Sequence, residues 1–150
     1  MRGPDRDNCD APRIGVGAVI WRDDEVLLIR RAKAPLAGAW SIPGGRQERG
    51  ETVLAALLRE VHEETALEVT VLGLIDVVDA LLHDEEGQLA FHYTLIDFSA
   101  RWMSGTATAG GDASALRWAR LVELPDFGLL ADTQRIIEKS ARLHGPLAKP

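Results

Sequence analysis

From residue 13 onward the chain alternates short apolar runs with polar punctuation, and the spacing of those runs predicts its elements. Residues 14–21 are apolar and rich in β-branched side chains, residues 22–24 are polar, and residues 25–31 are apolar again, which predicts a β-hairpin. Residues 32–39 carry Pro35 and Gly38 and read as a loop. No Gly or Pro interrupts residues 52–66, where Leu, Ala, Glu and Arg dominate, so a helix is expected there. At about 100° per residue, Leu54, Leu57, Leu58, Val61 and Thr65 share one stripe, the expected buried face. Residues 68–82 form a long apolar run expected to be a strand buried on both faces. Asp84, Glu85, Glu86 and Gly87 signal a turn, and residues 89–100 return as the partner strand. After a small, glycine-rich loop at 104–113 come a short strand at 115–120, a connection at 124–128, and a closing amphipathic helix at 131–144. That helix has Ile136, Ile137 and Leu143 on its apolar side and is stopped by Gly145 and Pro146. Asp132 reads as a first-turn acid favoured by the helix dipole.

Composition narrows the class. The chain has 150 residues, 46% of them apolar and 27% charged, which suits one soluble globular domain. The reading is a loose polar tail at 1–12, with Pro4 and Pro12, a single domain at 13–145 and a short tail at 146–150. A net charge of -6 argues against a nucleic-acid backbone binder, which needs a basic face. A small phosphorylated substrate stays compatible, because a bound cation reverses the local field. Cys9 is the only cysteine, so neither an internal disulfide nor a cysteine zinc site is available. With no apolar leader and no run of 18 apolar residues, no membrane segment is expected, and the location is read as cytoplasmic.

The candidate chemistry lies in the predicted helix. Glu60, Glu63 and Glu64 stand at i, i+3 and i+4, so their carboxylates are expected to converge on a face about a quarter turn from the core. Like charges at this spacing repel, and something should neutralise them. A solvated acidic stripe is the plain alternative. A hard divalent cation such as Mg2+ suits clustered carboxylate oxygens and keeps waters that phosphates displace.

The stretch GRQERGETVLAALLREVHEETAL, residues 45–67, resembles the Nudix box, the signature of the Nudix hydrolases. Gly45, Glu51, Arg59, Glu60, Val61, Glu63, Glu64 and Leu67 stand at that signature's spacing, and the lead-in Trp40-Ser41-Ile42-Pro43-Gly44-Gly45 is similar too. One position departs: Ala66 stands where the family has Gly, at the helix end where a left-handed residue is common. If that geometry is kept, Ala costs about 1 kcal/mol. No ligand is lost by the change.

The resemblance implies an α/β/α sandwich around a mixed β-sheet. It implies hydrolysis of a nucleoside diphosphate linked to another group, and Mg2+, with Mn2+ as a substitute, held by Glu60, Glu63 and Glu64 together with the Gly45 carbonyl. Glu51 stays divided between reaching the metal and pairing with Arg59 to pin the loop to the helix. The proton acceptor is one of the box acids or Asp112, which precedes Trp118 in the glycine-rich loop. Substrate-facing candidates are Gly44, Gly45, Arg31 and Trp40; Trp40 reads first as a loop or core anchor. Trp21, Phe91, Tyr93 and Phe127 are aromatic residues of the kind that stack on a base, though each fits the core as well. His62, His83 and His92 read as bystanders. The chain's general style, the segment LPDFGLLADT above all, is similar to ADP-ribose pyrophosphatase-like members. A nucleoside triphosphate pyrophosphohydrolase and a non-catalytic ligand-sensing domain are the alternatives, and a homodimer is compatible with the class.

Overall fold

The computed structural model describes residues 11–149. Most of the tail assigned at 1–12, Cys9 included, therefore lies outside the described residues. Seven strands form one mixed sheet: β1 (Arg13–Arg22), β2 (Glu25–Arg31), β3 (Trp40–Ser41), β4 (Gly44–Arg46), β5 (Glu68–His83), β6 (Leu89–Ser104) and β7 (Ala113–Arg120). The order is β3-β2-β1-β6-β5, with β4 paired to β1 and β7 to β2. Only β1 and β6 run parallel, in a register that sets Gly17 beside Asp97. Helix α1 (Val53–Thr65) covers one face and α2 (Ala131–Leu143) the other. This is the expected α/β/α sandwich.

Alternation along β1 divides the core in two. Val16, Ala18 and Ile20 pack with Leu57 and Val61 of α1, while Val19 and Trp21 pack with Ile136, Ile137 and Ala141 of α2. A buried polar knot fastens α2: Trp21 Nε1 donates to Ser140 Oγ at 2.9 Å, and Ser140 Oγ lies 2.6 Å from Ser99 Oγ on β6. His144 Nδ1 reaches the same Ser99 hydroxyl at 2.9 Å, so the helix is anchored to the sheet through one satisfied network. Most of the connection read at 124–128 belongs to a 3-10 helix, Leu121–Phe127. Beyond α2 the chain folds back rather than trailing off, with Leu147 N donating to Ala141 O at 3.0 Å.

Three burial expectations are corrected. Leu54 and Leu58 of α1 are about half exposed, and the buried face is instead Ala56, Leu57, Val61, Glu64 and Thr65. Strand β5 is a sheet edge, so only Ile75 and Val78 are buried, and Leu74, Val77 and Leu81 face out. Leu143 likewise lies largely exposed at the end of α2.

The cap of α1 follows the sequence closely. Thr52 Oγ1 accepts from Ala55 N at 3.1 Å, satisfying a free first-turn donor. At the other end Ala66 takes φ 60° and ψ 19°, so the left-handed geometry survives the loss of glycine. Ala66→Gly should therefore raise stability by about 1 kcal/mol, read as a higher urea midpoint with an unchanged slope.

Candidate active site

The site is built where β4 lies against β1 beneath the C-terminal half of α1. Register pairs Gly17 with Gly44, Val16 with Gly45 and Gly15 with Arg46. The two glycines of β4 are required by contact: a Cβ on Gly44 would strike the Val16 carbonyl, and one on Gly45 would strike the Glu60 carboxylate. The small residues of β1, Gly15 and Gly17, do what the sequence suggested and let another element come close.

Arg59 ties the loop to the helix. Its Nε donates to Glu51 Oε2 at 2.7 Å and its Nη2 to Glu51 Oε1 at 2.9 Å, a bidentate pair, while Nη2 also donates to Arg46 O at 3.0 Å. Glu51 Oε1 also accepts from Glu48 N at 2.9 Å. With both oxygens engaged, Glu51 takes part in the clasp that ties the loop to the helix. The Arg59 hydrogen bonds, then that from Glu48 N, hold the Glu51 carboxyl down to about 2. The same pairing raises the Arg59 guanidinium.

The other acids are held differently. Glu64 is 3% exposed, and its Oε1 accepts from Gly44 N at 2.8 Å. Burial pushes its carboxyl up to about 7 against that hydrogen bond, with the negative charges of Glu60 and Asp112 adding to the rise. Burial raises Glu60 as well, opposed by Arg59, whose Nη1 donates to Glu60 Oε1 at 2.9 Å. Glu63 is more open, and Arg59 Nη1 reaches its Oε2 at 3.3 Å.

The glycine-rich loop before β7 runs along the C-terminal carbonyls of α1. Thr108 N donates to Thr65 O at 2.9 Å and Gly110 N to Glu64 O at 3.1 Å. A Cβ on Gly110 would meet the Glu63 carbonyl at 2.6 Å, so the approach needs glycine. This lay brings Asp112 to the rim, where its charge acts on Glu60 and Glu64 and its Oδ1 pairs with Lys33 Nζ at 2.9 Å.

These elements enclose a cleft of about 610 Å3. Arg31, Gly44, Gly45, Arg59, Glu60, Glu63, Glu64 and Asp112 all line it, so the structure brings most of the sequence candidates together. Trp40 is not in that lining; it packs edge-on against Phe127 with ring centroids 5.3 Å apart, an anchor for the lead-in. Phe91 and Tyr93, stacked at 4.2 Å, do line the cleft, whereas Trp21 lies in the core. His62 sits on the exposed side beside Glu68, and neither His83 nor His92 lines the cleft. Lys33 and Asp97 were missed: Lys33 is one base in a loop, and Asp97 is a single acid inside an apolar strand, a signal that could have marked it.

Among the described residues, no three carboxylates or imidazoles are drawn into one ready coordination cluster. Glu60 is turned to Arg59 and Glu64 to Gly44, so the expected three-way convergence is not reached. The donor set still suits a hard cation. Four carboxylates meet at one cleft edge, and two of them, Glu60 and Glu64, sit where burial disfavours their charge, a cost that a divalent ion would relieve.

Comparison with known proteins agrees with this geometry. A family model described as the NUDIX domain matches residues 11–140. The chain is 35% identical to a protein from Methanocaldococcus jannaschii named ADP-ribose pyrophosphatase, over 87% of this chain and 74% of that one. It is 33% identical to the 8-oxo-dGDP phosphatase NUDT18 of Mus musculus, over 79% of this chain but 35% of that one. Among solved structures, a MutT NUDIX hydrolase from Burkholderia pseudomallei superposes with a TM-score of 0.75 at 34% identity, covering 87% of this chain and 98% of that one.

Proposed function

We propose, on the premise that this chain belongs to the Nudix family and is a pyrophosphohydrolase, that its substrate is a nucleoside diphosphate linked to a further group, such as ADP-ribose or a nucleotide sugar. One observation carries the reading: Glu60, Glu63 and Glu64 line the same cleft as the close-packed Gly44 and Gly45, and that cleft is of nucleotide size. The name of the Methanocaldococcus jannaschii relative supports ADP-ribose as the first substrate to try. Mg2+, with Mn2+ as a substitute, is the proposed cofactor, held by Glu60, Glu63 and Glu64 with the Gly45 carbonyl. When bound it activates water and draws charge from the phosphoryl oxygens.

The chain's own residues do the rest. The β4 glycines let backbone approach the diphosphate, and Arg31 and Lys33, which also line the cleft, supply positive charge to it. Glu64, whose carboxyl lies near neutrality, is placed to accept a proton, and Asp112 at the rim is the second candidate. Arg59 positions these groups through Glu51 and the Arg46 carbonyl, without itself being needed at the reacting atoms. Such a reaction needs little covalent chemistry, so positioning and charge stabilisation supply most of the rate.

A second reading, hydrolysis of oxidised guanine nucleotides, is supported by the name of the Mus musculus relative. A sensing domain that does not cleave would have no use for the full acid set. We place the protein in the cytoplasm and allow a homodimer.

The test is incubation with Mg2+ and a panel of ADP-ribose, nucleotide sugars, dinucleoside polyphosphates and nucleoside triphosphates, with phosphate-coupled detection and a chelator control. Turnover of diphosphate-linked substrates, abolished by chelator, is the expected outcome. Turnover confined to triphosphates would move the assignment to the second reading, and ligand binding without any turnover would make the domain a sensor.

A further inference from the structure

We propose that Asp97 reads the nucleobase, its carboxylate accepting hydrogen bonds from the paired N–H donors of a guanine-type edge. The inference rests on the hydrolase reading above and narrows it to guanine nucleotides, so that a GDP-linked substrate, not ADP-ribose, is expected to be preferred. On β6 the residues Phe91, Tyr93, Leu95 and Asp97 alternate onto one side of the strand, and all four line the cleft. The next residue on that side, Ser99, is committed to the α2 network. Asp97 is not committed. It is 5% exposed, and it makes no hydrogen bond or ion pair with any described residue.

No described residue engages that carboxyl, whose oxygens open to the cleft that it lines, so a ligand there has two free acceptors to pair with. Its surroundings say what kind. Gly17, directly beside it in register, has no side chain, and a Cβ there would strike Asp97 Oδ1 and come within 3.0 Å of Ile42 Cδ1. At Gly15 the missing side chain likewise leaves its place to Leu95 and Tyr93. The two glycines thus let Tyr93, Leu95 and Asp97 pack close against β1 while lining the cleft. The nearby cleft walls are Ile42, Val78, Leu95 and Ile136, which suit an aromatic ring better than a sugar.

The charged groups acting on Asp97 are Asp76 on β5 and Arg135 on α2. Burial first, then Asp76, raise its carboxyl to about 6, with Arg135 opposing, so at pH 8 it is an anion with two acceptor oxygens. Two adjacent acceptors match guanine N1–H and N2–H2. They do not match adenine, which presents one donor beside a bare ring nitrogen. Glutamate and glycine groups that hold the diphosphate lie farther along the same cleft, so base and phosphates occupy one continuous channel.

The test uses matched substrates that differ only in the base. Steady-state kcat/KM at pH 8 is measured for GDP-glucose and ADP-glucose with the parent protein and with Asp97→Asn, whose folding is checked by thermal melting. The parent is expected to favour GDP-glucose by about tenfold or more. Asn offers one acceptor and one donor, so Asp97→Asn should lose roughly 10- to 100-fold on GDP-glucose and hold or gain on ADP-glucose, inverting the ratio. An unchanged ratio, equal use of both bases by the parent, or an equal loss on both substrates would overturn the assignment. Calorimetric titration with GMP and AMP is run in parallel. If neither glucose derivative is cleaved, the hydrolase reading is what fails on these substrates, and preference for GMP lost in Asp97→Asn still decides the base assignment.

Discussion

Glu64→Gln should lower kcat on the best substrate by about three orders of magnitude while leaving the protein at least as stable as its parent. The two halves of that expectation come from one geometry. Glu64 is buried and accepts from Gly44 N at 2.8 Å, a bond the glutamine amide oxygen keeps. The neutral side chain escapes the burial that raises the carboxyl to about 7, so nothing in the fold is lost by the exchange. What is lost is an anionic oxygen at the cleft edge, beside Glu60. Steady-state kinetics with a matched thermal melt checks both halves. Loss of activity accompanied by a lower melting temperature would make Glu64 a structural residue instead, and full activity would remove it from the mechanism.

Arg59→Ala should be damaging in a different way, lowering the melting temperature and reducing kcat/KM on the order of 10²-fold. Among the described residues Arg59 is the single cation that reaches Glu51, Glu60, Glu63 and the Arg46 carbonyl, and its removal leaves three acids facing one another. The strand that carries Gly44 and Gly45 loses its Arg46 tie to α1 at the same step and keeps the Gly44–Glu64 bond. Arg59→Lys should recover only part of either loss, since an ammonium cannot make the two parallel bonds to Glu51. Denaturant midpoints and kinetics on the three proteins separate this from a purely catalytic role: a variant of full stability but no activity would mean that Arg59 acts on the substrate directly.

Much of the site was legible because the spacing of the acids encodes it. Gly45, Arg59, Glu60, Glu63 and Glu64 stand on a loop and a helix whose limits the residues themselves announce, from the Thr52 cap to the left-handed Ala66. What was misjudged turned on neighbours outside the local segment. The stripe of α1 was rotated towards Leu54 and Leu58 because apolar residues were counted as buried, whereas Glu64 holds an inward position through its bond to Gly44, twenty residues earlier in the chain. Strand β5 reads like a central strand but lies at the sheet edge, and edge position depends on topology. The pairing of Glu51 with Arg59 is likewise visible only in space, where the two side chains meet at 2.7 Å across the loop. Asp97 lies beside Gly17 because β6 pairs parallel with β1, a register that no local pattern in the sequence announces.

The account depends on the acids at the foot of α1 gripping a divalent cation together with a diphosphate. Titration calorimetry of Mg2+ into the protein in the presence of a non-hydrolysable nucleoside diphosphate analogue tests this most directly. Saturable binding in the parent, lost in a Glu60→Gln, Glu64→Gln double variant that still folds, is the predicted result. Equal binding by parent and variant, or no binding by a parent that nonetheless cleaves its substrate, would contradict it.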